Sequence, residues 1–386
     1  MTEHNVYRSS TYAPVNIAVI KYWGKRDPTL NLPTNSSLSV TLSQSDLRTH
    51  TTATCSASYT SDSLLLNGKD QDISTARTQA CLRELRTLRR KLESESSHPL
   101  PELSSLPLKI VSENNFPTAA GLASSAAGFA ALVRAIADLY ELPASPTELS
   151  RIAGQGSGSA CRSLFGGYVA WSKGEKDDGS DSVAYEVAPA SHWPDMRALI
   201  LVASAEKKDV SSTSGMQTTV KTSSLFPARA EQVVPKRMKE MEKAIREKDF
   251  ETFGRITMAE SNSFHATCLD TSPPIFYMND TSRAAIRVVE SLNQAAGKVV
   301  AAYTFDAGPN AVIYYLAENE AEAAGTFKCI LGKKEGWEGQ KGKAVTAKKA
   351  LNEGVKVAAE TLMGGISRVI LTAVGNGPMR SEEHLV

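Results

Sequence analysis

One stretch of small residues constrains this chain more than any other part of its sequence. From Phe116 to Phe129 the sequence reads FPTAAGLASSAAGF, and nearly every side chain in it is small. The residues before it, at 106–112, have the composition of a strand, whereas apolar residues within 126–140 recur at helical spacing. The stretch is therefore predicted to be a loop that leads from a strand into a helix.

This loop has the features of an anion-binding site. Glycines at 121 and 128 allow tight turns and close approach of another group to the backbone. Ser124 and Ser125 fall where a helix leaves its first N–H groups unpaired, and the positive end of the helix favours an anion such as phosphate. In the alternative, the small residues only let the helix pack tightly on a sheet. The glycines follow neither the P-loop nor the dinucleotide-binding motif, so a phosphate loop here belongs to another class.

The composition limits the class of protein. A chain of 386 residues exceeds one typical core, so two domains are expected. With 43 Lys and Arg against 42 Asp and Glu, no overall charge favours nucleic acid or an acidic membrane surface. The apolar runs are too short to span a bilayer, and the first residues lack a secretory signal pattern. Five scattered cysteines without CxxC spacing favour reduced thiols and a cytoplasmic setting, and a cysteine metal site is not expected.

The order of predicted elements favours an α+β protein over a doubly wound sheet. The first sixty residues are mostly strands, and Asn67-Gly68 predicts a hairpin turn. A helix at 74–92 carries many arginines, but no aromatic residues alternate with them, which favours a solvated face over nucleic-acid binding. Long helices are predicted at 228–248 and 250–267, with strands on either side of them. Prolines and small residues at 188–195 place the domain boundary there, giving domains 1–190 and 191–386.

A second glycine- and serine-rich stretch, GQGSGSACRSLFGG at 154–167, lies in the same half of the chain. Its Ser157 and Ser159 can donate to phosphate oxygens, and Arg162 can supply a bidentate fork. Lys21 and Lys25 follow the first predicted strand and are candidates for the same anions. Each cation alone is compatible with a plain surface charge, but together with two phosphate-type loops they predict a site for anionic groups.

Asp306 is the most informative carboxylate. It follows a mostly apolar strand and precedes Ala-Gly-Pro-Asn, so the backbone turns sharply where a side chain can point into a cleft. A carboxylate there can accept a proton from a substrate hydroxyl as a phosphoryl group arrives. The alternative is an aspartate that only caps the turn.

The motifs taken together resemble the mevalonate diphosphate decarboxylase family of the GHMP kinase superfamily. The resemblance covers about residues 12–316, and the KYWGK segment at 21–25 is its most specific part, because the sister kinases differ there. The segments that carry it are PVNIA at 14–18, KYWGKRD at 21–27, NLPTNSSLS at 31–39, the loops at 113–128 and 157–167, KKDVSST at 207–213, SFHATCLD at 263–270, PPIFYMND at 273–280 and TFDAGPNA at 304–311.

This resemblance implies a fold and an activity. The expected fold is the α+β GHMP kinase fold, with an N-terminal ribosomal-protein-S5-like domain, a C-terminal ferredoxin-like sandwich that carries the catalytic aspartate, and the active site in the cleft between them. The implied reaction is ATP- and Mg²⁺-dependent conversion of mevalonate 5-diphosphate to isopentenyl diphosphate, ADP, phosphate and CO₂, by a homodimer. Two alternatives remain open: a small-molecule kinase that does not decarboxylate, and a catalytically silent ligand-binding member of the fold.

The resemblance also implies roles for individual residues. Asp306 would act at the 3-hydroxyl with Lys21 beside it, Arg162 would hold the substrate carboxylate, and Ser124 would reach the γ-phosphate. The implied substrate contacts are Ala18, Tyr22, Trp23, Gly24, Lys25, Arg77, Ser157, Gly158, Ser159, Ala160, Cys161 and Thr213, and the implied ATP contacts are Pro117, Ala119, Ala120, Gly121, Leu122, Ala123, Ser124, Ser125 and Ala126. The chain departs from the family pattern at Gly154, where a basic residue is usual, and in the lysine- and glycine-rich segment 332–349.

Overall fold

Strands and helices are interspersed along the chain in a computed structural model that describes residues 5–116, 124–203, 209–348 and 355–386. Its strands are β1 Tyr7–Pro14, β2 Asn16–Ile20, β3 Lys25–Asp27, β4 Leu32–Pro33, β5 Ser37–Thr41, β6 Arg48–Cys55, β7 Ser63–Leu66, β8 Lys69–Gln71, β9 Leu108–Asn114, β10 Tyr168–Trp171, β11 Ala184–Ala188, β12 Met196–Ala203, β13 Ala302–Phe305, β14 Ala311–Leu316, β15 Ile366–Ala373 and β16 Met379–Ser381. Its α-helices are α1 Ala76–Glu95, α2 Ser124–Leu139, α3 Pro146–Gly156, α4 Ser212–Thr222, α5 Phe226–Ala228, α6 Val234–Glu247, α7 Phe250–Leu269, α8 Asp280–Ala296, α9 Ala324–Leu331, α10 Gln340–Ala344 and α11 Lys356–Gly365. A π-helical stretch, Arg229–Val233, joins α5 to α6, and a 3₁₀ helix, Gly158–Leu164, follows α3.

Two sheets form most of the first half of the chain. One has the strand order β16-β1-β6-β9-β7-β8, and the other has the order β11-β10-β5-β2. Helix α2 packs on β1 and β6 through a face of buried alanines, whose short side chains let the helix approach the sheet closely. The alanines of the small-residue stretch thus pack a helix closely on a sheet, while the predicted loop at 117–123 lies outside the described residues.

The second half is built on one antiparallel sheet of order β13-β14-β12-β15. One of its faces packs with α8, α9 and α11 in an apolar core. Its other face contributes Ile200 and Tyr314 to a core that also contains Ile17 and Val40 from the first half. The two halves therefore share buried apolar surface, and the division at residue 190 stays a prediction.

Local signals in the sequence account for several element boundaries. Ser145 begins α3 with a reciprocal capping box, in which its hydroxyl accepts from the N–H of Glu148 and the Glu148 carboxylate accepts from the N–H of Ser145. The predicted hairpin turn between β7 and β8 is confirmed, because Asn67 and Gly68 both have positive φ there. Helix α7 matches the predicted helix at 250–267, whereas β15 and β16 had not been predicted.

Residues 374–386 return to the first half of the chain. Strand β16 pairs antiparallel with β1, placing Ser381 opposite Ser10. Beyond β16, the hydroxyl of Ser10 lies 2.7 Å from His384 Nδ1. Gly166 and Gly377 pack backbone to backbone, and a Cβ on Gly166 would lie 2.6 Å from the nitrogen of Gly377. This segment therefore completes one edge of the six-stranded sheet and supports the end of the second glycine-rich stretch.

Candidate active site

Lys21 and Asp306 meet in the structure although 285 residues separate them in the sequence. Lys21 directly follows β2 and Asp306 directly follows β13, so each side chain projects from a strand end. The Lys21 Nζ atom lies 2.7 Å from Asp306 Oδ1, with 3% of the lysine side chain and 29% of the aspartate side chain exposed. The Asp306 carboxylate bonds to Lys21, and the turn itself is closed by the main chain, from the Gly308 N–H to the Asp306 carbonyl oxygen. The side chain is thus directed to Lys21 at the end of β2 rather than to its own turn.

Burial and charge act in opposite directions on Lys21. Burial lowers the pKa of its ammonium group from the ordinary value, and the Asp306 carboxylate and its hydrogen bond oppose that shift. Glu260 also acts to raise the pKa of Lys21, whereas Arg162 acts to lower it. The pair therefore combines a desolvated ammonium with a partly exposed carboxylate.

The main chain at Lys21 is held by two buried side chains that sequence reasoning missed. Its N–H donates to Glu260 Oε2 at 3.1 Å, and its carbonyl oxygen accepts from Asn35 Nδ2 at 2.9 Å. The sequence did contain a signal for Glu260. It falls on the apolar stripe of α7, at helical spacing from Phe253 and Phe264, and a charge at such a position requires partners.

Arg162 is a fully buried cation that is positioned by neutral groups. Its Nε donates to Ser39 Oγ at 3.0 Å and to Asn16 Oδ1 at 3.3 Å, and its Nη1 donates to Ser37 Oγ at 2.5 Å. Within the described ranges it forms no ion pair with a carboxylate. Burial lowers the pKa of the Arg162 guanidinium from its ordinary value. A buried charge without a counterion is costly, so this arrangement favours an anionic ligand.

Arg77 and Lys25 are two further cations of the site, since Arg77 and Arg162 both act on the Tyr22 hydroxyl and Arg77 also acts on Lys25. Arg77, at the start of α1, donates from Nη2 to Thr213 Oγ1 at 3.0 Å, so two predicted substrate contacts from distant segments come together. Burial and, to a smaller extent, Arg77 lower the pKa of Lys25 to about 8. Among the residues that the structure describes, neither Lys25 nor Arg77 has a carboxylate partner. Lys25, Arg77 and Arg162 are called the cation cluster below.

Tyr22 connects the cation cluster to the second glycine-rich stretch. Its hydroxyl is buried and unpaired within the described part of the chain, and burial raises its pKa. Its ring packs edge-on against Trp171, with centroids 4.9 Å apart. A Cβ on Gly158 would lie 2.8 Å from the Tyr22 ring, so only glycine fits where the 3₁₀ helix passes this ring.

The start of α2 lies beside the second glycine-rich stretch. Ser125 Oγ, at the start of α2, is 3.2 Å from Ser157 Oγ, at the end of α3. The Ser159 carbonyl oxygen accepts from Asn16 Nδ2, which fixes the second loop to β2. The buried Cys161 thiol bonds to the Gly158 carbonyl oxygen, and burial raises the pKa of that thiol to about 12, so it stays protonated near neutrality.

The remaining predicted site residues have varied positions. Ala18 lies in β2 opposite Ser39, and Ala160 and Ala126 are buried beside the two loops. Gly24 has a φ of +88° and leaves no room for a side chain, since a Cβ would lie 2.5 Å from Phe226. The Trp23 side chain packs in an apolar cluster against Phe264, with ring centroids 4.7 Å apart. The predicted contacts Pro117, Ala119, Ala120, Gly121, Leu122 and Ala123 lie outside the described residues.

A cavity of about 410 Å³ adjoins the start of α2. Ser124 and Ser125 lie at one end of it, while apolar and polar side chains from strands and from α1 and α2 form the rest. Its other lining residues are Thr51, Leu64, Leu66, Gln71, Asp72, Thr75, Thr78, Ile110, Ser112, Asn114, Gly128, Phe129 and Leu132. Sequence reasoning had singled out only Asn114, Gly128 and Phe129 among them, within the segments 113–128 and 116–129, because the others come from separate elements without a shared motif. The volume is that of a small-molecule site.

The described residues contain no cluster of three His, Cys, Asp or Glu side chains suited to hold a metal ion. In the same ranges, no helix is long and apolar enough to cross a membrane.

The two α+β halves and the strand-end Lys21–Asp306 pair, together with the structural neighbours, identify the GHMP kinase fold. Residues 13–184 match the family model of the diphosphomevalonate decarboxylase-like N-terminal domain. Residues 198–381 match the family model of the mevalonate 5-diphosphate decarboxylase C-terminal domain. The chain belongs to the diphosphomevalonate decarboxylase family.

Individual relatives agree with this assignment over their full length. Diphosphomevalonate decarboxylase of Aspergillus fumigatus is 68% identical over 392 residues, covering 100% of this chain and 97% of the relative. A crystal structure of mevalonate 5-diphosphate decarboxylase is 56% identical, with a TM-score of 0.89 and 98% of each chain covered. A third protein, solved as MDDEF in complex with MVAPP, AMPPCP and magnesium, is 33% identical, with a TM-score of 0.74, and the match covers 98% of this chain and 100% of that one.

Proposed function

We propose that this protein catalyses the ATP-dependent decarboxylation of mevalonate 5-diphosphate to isopentenyl diphosphate, in the mevalonate pathway of isoprenoid and sterol biosynthesis. The observation that carries the proposal is the Lys21–Asp306 pair beside the buried Arg162. A carboxylate for the hydroxyl and a cation for the carboxylate are the two groups that this substrate needs. The family to which the chain belongs supports the same reaction.

Asp306 is assigned to the 3-hydroxyl of the substrate. That hydroxyl is tertiary and leaves poorly, so it is first converted to a phosphate ester. Its oxygen forms a bond to the γ-phosphorus of ATP while the Asp306 carboxylate accepts its proton, and the bond to ADP breaks. The neighbouring Lys21 ammonium lies 2.7 Å from this carboxylate and orients it through a charge-assisted hydrogen bond.

Arg162 is assigned to the substrate carboxylate. When the C3–O bond breaks, phosphate leaves with the electron pair and positive charge develops at C3. The bond to the carboxylate then breaks, its electron pair forms the new double bond to C3, and CO₂ departs. The Ser37, Ser39 and Asn16 contacts fix the guanidinium before the substrate arrives, so its orientation requires no further ordering.

The diphosphate of the substrate is assigned to Lys25, Arg77 and their neighbours. Two cations without carboxylate partners among the described residues suit a group with several negative charges. The proposed neutral contacts are the Tyr22 hydroxyl, which has no partner among the described residues, the Thr213 hydroxyl bonded to Arg77, and Ser157 and Ser159 on the second loop. The predicted roles of Ala18, Trp23, Gly24, Gly158, Ala160 and Cys161 are proposed as shape and main-chain contributions to the same pocket.

ATP is assigned to the start of α2 and the adjoining cavity. The Ser124 and Ser125 hydroxyls and the helix N-terminus suit phosphate oxygens, and the cavity of about 410 Å³ suits the nucleoside. Mg²⁺ commonly binds through substrate phosphates and few protein groups, so it would fit a site that offers hydroxyls such as that of Ser124. The ion would supply charge neutralisation at the phosphates during transfer.

A product assay tests this proposal. The protein is incubated with mevalonate 5-diphosphate, ATP and Mg²⁺, and CO₂ and ADP are measured together. We expect one CO₂ for each ADP. Accumulation of a stable phosphorylated product without CO₂ identifies a kinase instead, and nucleotide binding without ADP formation identifies a silent binding protein.

We also propose the cellular compartment and the oligomeric state of the enzyme. Five cysteines without a disulfide favour a reducing cytoplasm. A homodimer is proposed from the family resemblance, with mevalonate 5-diphosphate as the small-molecule partner.

A further inference from the structure

Helix α7 carries two consecutive polar side chains, Glu260 and Ser261, that are fully buried. Glu260 Oε2 accepts a hydrogen bond from the main-chain N–H of Lys21 at 3.1 Å. Ser261 Oγ accepts one from the main-chain N–H of Phe305 at 3.0 Å, and Phe305 directly precedes Asp306. Adjacent residues of one helix thus hold the main chain at both members of the Lys21–Asp306 pair.

The sheet topology explains why these two N–H groups are available. Strand β2 is an edge of the four-stranded sheet in the first half, and β13 is an edge of the sheet in the second half. An edge strand presents backbone groups that no neighbouring strand satisfies. Helix α7 packs against both edges, so it covers the two strand ends from which the reacting side chains project.

Glu260 is itself firmly anchored. Its Oε2 also accepts from Arg229 Nη2 at 2.6 Å, and its Oε1 accepts from Arg237 Nη1 at 2.8 Å. One turn further along α7, the Phe264 ring packs on Trp23, two residues beyond Lys21. The helix is therefore fixed to the Lys21 segment by both a charged network and an aromatic contact.

We propose that Glu260 and Ser261 are positioning residues for the reaction, because together they set the separation of Lys21 and Asp306 across the two halves of the molecule. This inference rests on the roles proposed for that pair. Small displacements of reacting groups, of the order of 1 Å, can lower a rate by about 10²-fold. The two residues act through main-chain hydrogen bonds and do not contact the substrate.

Ser261→Ala is the decisive variant, and Thr257→Val is its matched control. Thr257 lies one turn earlier on α7, is buried, and donates its hydroxyl to the Phe253 carbonyl within the same helix. Each substitution removes one buried hydroxyl from the helix, but only Ser261→Ala frees the chain beside Asp306. We expect kcat for CO₂ release to fall about tenfold or more in Ser261→Ala, with KM for ATP and for mevalonate 5-diphosphate within about twofold of wild type.

The split between kcat and KM separates positioning from general damage. If Ser261→Ala has the same kcat as Thr257→Val, or if its KM values rise together with the fall in kcat, the positioning role is wrong. If wild type and Thr257→Val release no CO₂, the proposed function fails instead. The two failures are thus distinguishable.

Glu260→Gln adds a test with a different readout. The charged and titratable groups facing Lys21 are Asp306, Glu260, Arg162 and His265. Removing the negative charge of Glu260 makes the Lys21 ammonium easier to deprotonate, so the alkaline limb of the kcat profile is expected to move to lower pH. The same limb should stay in place in Ser261→Ala. A folded Glu260→Gln protein with unchanged kcat and unchanged limb contradicts the proposal, and if this variant does not fold, Ser261→Ala alone decides it.

Discussion

The Lys21–Asp306 pair and the cation cluster are both largely buried, yet they are neutralised differently. Lys21 has a carboxylate 2.7 Å away, so its charge is balanced within the protein. Arg162 is held by two serines and an asparagine, and in the described ranges the cluster has no carboxylate partner. A cation that is already paired holds its partner carboxylate in position, whereas a cation without a carboxylate partner stabilises an incoming anion. In the proposed mechanism the Lys21–Asp306 pair is the reacting side of the site, and the cation cluster is its binding side.

Asp306→Asn should have the largest effect and should act on the reacting side alone. It removes the proposed base, so we expect kcat to fall by about 10³-fold or more, while the Kd of a non-hydrolysable ATP analogue stays within a few-fold of wild type. The variant also leaves Lys21 without its counterion, so Tm of the unliganded protein should fall. Turnover near the wild-type rate would remove Asp306 from the mechanism.

Arg162→Gln should affect the binding side. We expect KM for mevalonate 5-diphosphate to rise about 100-fold, because a charge-assisted pair with the carboxylate is lost, while KM for ATP changes little. Its Tm should fall less than that of Asp306→Asn, since the lost charge had no counterion among the described residues. Arg134→Gln is a suitable control, because Arg134 pairs with Asp138 along α2 and lies outside the proposed substrate contacts. An effect confined to ATP binding would contradict the assignment of Arg162.

Lys25 should give the smallest effect, visible as a dependence on pH. Its pKa is lowered to about 8, so the cluster loses this charge as pH rises through 8, and KM for the diphosphate substrate should increase severalfold between pH 7 and 9. Lys25→Met should show the higher KM at both pH values, whereas the exposed Lys236→Met should behave as wild type.

The same residue should make the folded protein more stable as pH rises, although it makes substrate binding weaker. Its ordinary pKa of 10.5 exceeds the value in the folded protein, so between pH 8 and 10.5 the unfolded chain binds more protons. The contribution of this residue to the free energy of unfolding therefore rises with pH across that window. Wild type and Lys25→Met, compared by urea unfolding at pH 8 and 10, should differ in this slope. Equal slopes would indicate that Lys25 is not desolvated.

Much of the site could be predicted because its residues stand at strand ends and in small-residue loops. Lys21 and Asp306 each follow an apolar strand, and the serines at the start of α2 lie within a run of small residues. Such positions are visible in the sequence without knowledge of which strands are neighbours. The structure adds that Lys21 and Asp306 form one pair and that Ser125, at the start of α2, lies beside Ser157 of the second glycine-rich stretch.

The residues that sequence reasoning missed depend on topology. Helix α7 was predicted as a helix, but nothing in its sequence indicates that it covers β2 and β13, which lie at the edges of two different sheets. The roles of Glu260 and Ser261 follow only from that arrangement. The cavity beside α2 was missed for the same reason, since strands and helices far apart in sequence line it.

The pairing of β16 with β1 has a consequence for synthesis on the ribosome. Ser10 and His384, which meet at this edge, are 374 residues apart. At about 5–20 residues per second, β1 waits roughly 20–75 s after its own translation before that neighbour emerges. During this interval the nascent chain presents an incomplete sheet edge, which chaperones can bind and other chains can pair with.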